Sequence, residues 1–180
     1  MFYTRKGDDG TTGSLGKGRL PKSDARIEAL GTLDEAAAVL GIARSLCREL
    51  GTAEAILQTQ RDLYSLMAEV SASPENAEKY RKIGPQQVAW LEEQIETFQG
   101  KTLLPEEFII TGDTSTGAFL DLARTVVRRA ERKVAVLVSK KWIVNPDILR
   151  YINRLSSLCF ILELYENQSA GINQPTLARI

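Results

Sequence analysis

AFLDLARTVVRRAERKVAVLVSK, residues 118–140, carries two patterns at once. Phe119, Ala123, Val126, Ala130, Val134 and Leu137 recur in steps of three and four, the spacing of an amphipathic helix with one face in a core. On another face Arg124, Arg128 and Arg132 stand at i, i+4 and i+8, so their guanidinium groups stack in a column, with Arg129 and Glu131 beside it. Most charged helical faces are simply solvated. This column is all arginine and repels itself, only one acid sits within the motif, and bidentate forks aligned in this way suit phosphate.

The flanking sequence continues the helical period. Residues 145–167, NPDILRYINRLSSLCFILELYEN, begin on an Asn145–Pro146 start and set Asn153, Ser156 and Ser157 among the apolar residues Leu149, Ile152, Leu155, Leu158, Phe160, Ile161 and Leu162. An unpaired buried amide costs about 1–3 kcal/mol, so Asn153 either meets a partner or ligand or lies at the surface. Residues 84–100 form a helix with Pro85 in its first turn and Gly100 as its cap. Residues 52–72 form another, spaced by Ile56, Leu63, Leu66 and Val70. The helix within 21–50 is spaced by Ile27, Leu30, Leu33, Ala37, Leu40 and Ala43, and Gly31 and Gly41 mark close packing. Asp34 and Glu35 sit in its middle, where one acid can bridge to an arginine of 118–140. Polar 73–85 reads as a connector, and 101–117 as an irregular stretch broken by Pro105 and Gly112. No strand alternation competes. The expectation is an all-α, antiparallel five-helix bundle forming one domain over 1–180: an N-terminal loop at 1–22, the bundle at 23–168 and a loosely held tail at 169–180.

The front of the chain does not fit the helical pattern. YTRKGDDGTTGSLGKGR, residues 3–19, holds five glycines. It contains no Walker A spacing and no strand leads into it. Its glycines allow positive φ and consecutive N–H groups aimed at one anion, Thr4, Thr11 and Thr12 add hydroxyls, and Arg5, Lys6 and Lys22 add charge. Asp8 and Asp9 are placed to hold a divalent cation through water, the mode Mg²⁺ prefers.

Composition narrows the chemistry. Lysine plus arginine and aspartate plus glutamate number 23 each, so no bulk charge draws the chain to nucleic acid or a membrane surface, and an anion site must be local. No apolar run approaches a membrane span, and the first residues read as no signal peptide. Cys47 and Cys159 lie in helical patterns without metal spacing, as expected of buried thiols in a cytoplasmic protein. There is no histidine. The commonest general base and zinc ligand are therefore absent, and catalysis must run on cations, carboxylates, hydroxyls and backbone groups, or on the substrate's own reactivity.

Taken together, YTRKGDDGTTGSLGKGRLPK, EALGTLDE, RTVVRRAER and NPDILRYINRLSSLCFILELYEN resemble the ATP:cob(I)alamin adenosyltransferases of the propanediol-utilisation and mitochondrial type, in order from Tyr3 to about Asn167. The resemblance implies a homotrimeric bundle with active sites between subunits. It implies transfer of the 5′-deoxyadenosyl group of ATP to cobalt of cob(I)alamin, formed from cob(II)alamin, giving adenosylcobalamin and triphosphate. The implied ATP-binding residues are Thr4, Arg5, Lys6, Gly7, Thr12, Gly13 and Lys22, then Arg128, Arg129, Ala130, Glu131 and Arg132, then Asn153. Arg128 is implied to be catalytic, Asp34 to pair with Arg124 across the interface, and Phe108 to lie against the lower face of the corrin. Mg²⁺ would accompany ATP, with no residue assigned as its direct ligand, and a reductase and an adenosylcobalamin-dependent acceptor enzyme are the partners such an activity leaves room for. Ser157 stands where the family usually has aspartate, and 108–117 departs from the usual loop. The rival reading is a non-catalytic, ATP-dependent cobalamin carrier or regulator on the same bundle.

Overall fold

A computed structural model describes residues 3–16, 18–73 and 75–178. Five long helices dominate: α1 (Ala25–Leu46), α2 (Leu50–Ser71), α4 (Pro85–Gln99), α5 (Ser115–Ser139) and α6 (Pro146–Ser169), with a single turn, α3 (Ala77–Tyr80), in the polar connector. α2 packs on α1, α1 on α5, α5 on α6 and α6 on α4, so α5 and α6 form the middle of the bundle. The helix starts follow from the sequence. Asp24 caps α1 by accepting from Arg26 N, Thr114 caps α5 by accepting from Gly117 N at 2.9 Å, and Asn145 caps α6 by accepting from Asp147 N at 3.1 Å, with Pro146 in the first turn.

The apolar stripe expected on α5 is inside at Ala123, Val126, Ala130, Val134 and Leu137, whereas Phe119 is only half-buried and Leu120 and Val127 join the core instead. Leu120, Ala123, Val127, Ala130, Val134 and Leu137 are buried against Leu33, Leu40, Ile152, Leu155 and Leu162 of its neighbours. Several polar groups within this core are hydrogen-bonded to one another. Tyr151 donates to Asp62 Oδ2 at 2.9 Å, and Asn145 donates to Glu69 Oε2 at 3.1 Å and to the Ile83 carbonyl at 2.9 Å. Glu166 accepts from the Arg48 and Glu49 amides ahead of α2. Among the described residues no helix is long and apolar enough to cross a membrane.

Two features depart from the sequence-based expectation. The opening loop contains a small antiparallel ribbon, β1 (Thr11–Gly13) against β2 (Arg19–Pro21), with Thr12 opposite Leu20. The tail is anchored rather than loose: Leu177 pairs with Ile109, and Asp113 accepts from both Thr176 N and Thr176 Oγ1.

Close packing at the start of α5 makes a test of the fold. A Cβ on Gly117 would collide with Asn167 Oδ1, the atom that accepts from Thr114 Oγ1 at 2.6 Å. Overpacking of this kind costs about 1–3 kcal/mol. Gly117→Ala should lower the unfolding free energy read from chemical denaturation by that amount, and an unchanged free energy would show that α6 yields freely there.

Candidate functional site

The opening loop is organised by a residue that the sequence reading did not select. Arg19 donates from Nε to Thr11 Oγ1 at 2.6 Å and through one terminal nitrogen to the carbonyls of Lys6 and Thr11. Lys22 donates to the Gly7 carbonyl at 2.8 Å, and the Lys22 amide to the Gly10 carbonyl at 2.9 Å. Asp9 accepts from Thr11 N and Thr11 Oγ1, which holds its carboxyl below the usual carboxylate range. These bonds close residues 5–11 into a tight loop with Arg5 and Gly10 at positive φ. Thr4, Arg5, Lys6 and Gly13 stay exposed or nearly so, with Gly7 and Thr12 half-buried. The loop is moored to the end of α2. Leu15 pairs with Ala72, and a Cβ on Gly16 would meet Ser73 at 2.7 Å.

The cations of α5 divide by partner. Arg124 pairs with Asp121 at 2.7 Å, Arg129 with Glu35, and Lys133 with Glu28 at 2.6 Å. The expected bridge from α1 to α5 is therefore made by Glu35, while Asp34 is exposed and forms no ion pair among the described residues. Arg128 and Arg132, one turn apart and exposed, have no acidic partner among the described residues; Arg132 donates instead to the Arg128 carbonyl at 3.1 Å. Glu131 accepts from Asn153 Nδ2 at 2.9 Å, so the polar position on α6 does meet a partner. Ala130 is fully buried, and its methyl serves the core between these polar neighbours.

Two concavities border α5. A cleft of about 400 Å³ between α1 and α5 is lined by Lys22, Glu28, Gly31, Glu35, Arg129 and Lys133. A cavity of about 900 Å³ opens on the other side, where Arg124, Arg128, Ser156, Ser157, Phe160 and Phe108 meet. Phe108 is 90 % exposed at its mouth. The structure thus gathers Lys22 with Arg129, and Arg124 with Arg128 and Phe108, in two separate hollows of one chain. Asp121, Lys133 and Phe160 were not selected as site residues from the sequence; helical spacing from the arginines could have suggested the first two, while Phe160 comes from α6 and is brought in only by the packing of the two helices.

Fully buried Glu163 lies behind the larger cavity. Loss of water pushes its carboxyl up to about 7; the Thr111 side chain pulls it back down, Asp121 raises it, Arg124 lowers it and Asp113 raises it. Burial also pushes the thiols of Cys47 and Cys159 up to about 12, so neither is a nucleophile near neutral pH. Among the described residues no group of three acids or thiols gathers as a metal site.

In this histidine-free helical bundle Arg128, without an acidic partner among the described residues, stands at one hollow, and Lys22 of the glycine-rich segment joins Arg129 and Lys133 at the other, an arrangement suited to an anion. The chain belongs to the cobalamin adenosyltransferase family, whose model matches residues 2–166. It is 32% identical to the corrinoid adenosyltransferase of Citrobacter freundii, over 95% of this chain and 97% of that one. It is 34% identical to the corrinoid adenosyltransferase of Bacillus subtilis, over 95% and 89%. Among solved structures it resembles a phenylalanine-to-alanine variant of a PduO-type ATP:corrinoid adenosyltransferase from Lactobacillus reuteri complexed with cobalamin and ATP. The TM-score is 0.89 at 30% identity, covering 100% of both chains. An arginine-to-lysine variant of the L. reuteri protein complexed with ATP matches at a TM-score of 0.87 and 29% identity, over 99% of this chain and 100% of that one.

Burial of Glu163 predicts a pH-dependent stability. Its folded value of about 7 lies above the ordinary value of 4.5, so between the two the folded state holds the extra proton. The associated stability is full below the unfolded value and is lost as pH rises through about 7. Glu163→Gln should therefore match wild type near pH 4.5 and be more stable at pH 8, by at most about 3 kcal/mol at 1.36 kcal/mol per unit. Equal stability gaps at both pH values in urea titrations would place the carboxyl in a wetter setting.

Proposed function

We propose that this chain is an ATP:cob(I)alamin adenosyltransferase. Reduced cobalt attacks C5′ of ATP, the Co–C5′ bond forms, the C5′–O bond breaks, and its electron pair leaves on triphosphate. The observation that carries this reading is the pair Arg128 and Arg132, guanidinium groups without acidic partners one turn apart, with Arg128 facing a cavity whose mouth holds Phe108. Cob(I)alamin is itself the nucleophile, so the chain needs no general base. Its tasks are to align C5′ with cobalt and to stabilise charge growing on the leaving triphosphate.

Thr4, Arg5, Lys6, Gly7, Thr12, Gly13 and Lys22 bind the triphosphate from the loop side. Arg128, Arg129, Glu131, Arg132 and Asn153 complete the nucleotide site. Mg²⁺ would lower the charge of the triphosphate. The residues fit a metal that arrives on ATP: Asp8 is exposed, Asp9 is engaged with Thr11, and among the described residues no acidic cluster competes for it. Phe108 presents an apolar ring to the lower face of the corrin, where a coordinating side chain would keep cobalt five-coordinate and hard to reduce.

The separation of Lys22 and Arg129 from Arg128 in one chain supports a site completed by a second copy. In this reading the assembly is a homotrimer, and exposed Asp34 pairs with Arg124 of a neighbour in exchange for, or beside, Asp121. A cytoplasmic setting fits the two free thiols, and a reductase delivering cob(I)alamin and an acceptor for adenosylcobalamin are its expected partners.

The test is incubation with ATP, Mg²⁺ and chemically reduced cobalamin, following the absorbance change as the carbon–cobalt bond forms. Wild type should turn over. Arg128→Lys keeps the charge but loses the fork, so at least tenfold of kcat should go with it. Binding of ATP and cobalamin without product would favour the carrier reading. Sedimentation at micromolar concentration should give a trimer for wild type, and a monomer would remove the shared site.

A further inference from the structure

The segment bearing Phe108 is held from three directions. At one end, the Gln168 side chain accepts from Leu103 N at 3.0 Å and donates to the Leu103 carbonyl at 2.7 Å. At the other end Thr114 Oγ1 donates to Asn167 Oδ1 at 2.6 Å, past Gly112 at a φ of 118°. Between them runs the tail. Ile110 N donates to the Thr176 carbonyl at 2.7 Å, Ala178 N donates to the Phe108 carbonyl at 2.8 Å, and Asp113 accepts from Thr176 N at 3.0 Å and from Thr176 Oγ1 at 2.7 Å.

This pattern fixes which way each side chain points. The two backbone bonds flank the antiparallel pair Ile109–Leu177 without joining it, the register in which opposed side chains come closest. Ile109 and Leu177 are both half-buried, so the pair is turned toward the protein. Side chains alternate along an extended segment, and with Ile109 turned in, Phe108 and Ile110 are turned out, 90 % and 52 % exposed. An exposed phenylalanine has no packing of its own to fix it. The tail supplies the constraint through the backbone.

We propose that residues 176–178 are a positioning segment for the reaction: by pairing with 108–110 they hold the Phe108 ring at the mouth of the larger cavity. The inference rests on the reading that Phe108 faces the lower side of cobalt. In this role the tail acts through the orientation of Phe108.

Ala178→Pro removes the amide that donates to the Phe108 carbonyl, and its added ring atoms fall at an exposed position. Its Kd for ATP and its melting temperature should match wild type, while hydrogen exchange at the Ile110 amide should quicken severalfold. With ATP and cob(II)alamin bound, the fraction of four-coordinate cobalt read by electron paramagnetic resonance should fall severalfold, as it should in Phe108→Ala. Ala178→Pro added to Phe108→Ala should cost nothing more. Thr176→Val, which loses only the hydroxyl donated to Asp113, should move the same fraction in the same direction to a smaller extent, and serves if the proline variant fails to fold. A wild-type fraction of four-coordinate cobalt in either tail variant would overturn the proposal, as would a double variant well below Phe108→Ala. A wild-type chain that makes no adenosylcobalamin would overturn the functional reading first, and this one with it.

Discussion

A helix that lines up arginines must hold them against their mutual repulsion, and α5 does so by burying an unbroken apolar stripe on its opposite side. Leu120, Ala123, Val127, Ala130, Val134 and Leu137 fasten it between α1 and α6. Full burial of side chains of this size contributes on the order of 1.5–3 kcal/mol each for the larger ones, against a fraction of that for repulsion between exposed like charges a turn apart. The core therefore wins and the cations stay where the helix puts them. Acids from the same helix and from α1 then neutralise Arg124, Arg129 and Lys133. What remains is charge at Arg128 and Arg132.

Much of this was legible in the sequence, because it rests on side-chain periodicity. The five helices, the Asn145–Pro146 start and the buried stripe of 118–140 all show in the order of apolar residues. The β1–β2 ribbon was not legible. Its strands are three residues long and built of threonine, glycine, arginine and proline with a single leucine, Leu20, too little to mark a face by alternation. Nor does Arg19 differ in sequence from the other cations around it; only the fold of the loop shows that it donates inward while Arg5 and Lys6 remain exposed.

The candidate site shows the same division. Arg128, Arg129, Glu131, Asn153 and Lys22 were marked by residue type and spacing, and each lies at a hollow or in a polar pair beside one. The split between the two hollows was hidden, since Arg128 and Arg129 are adjacent in sequence yet face different sides of α5. The anchoring of the tail was hidden for another reason. Its bonds to 108–110 run through backbone groups, which every residue but proline carries, so they leave no compositional trace.

The mooring of the 108–110 segment also separates stability from the shape of the rim. Every helix of the bundle, and with it the apolar core of the described residues, lies within residues 25–169, while the strand that orients Phe108 lies at 176–178. Loss of that strand leaves every core side chain in place. A chain clipped after α6 therefore keeps its fold while its substrate-facing rim comes unset.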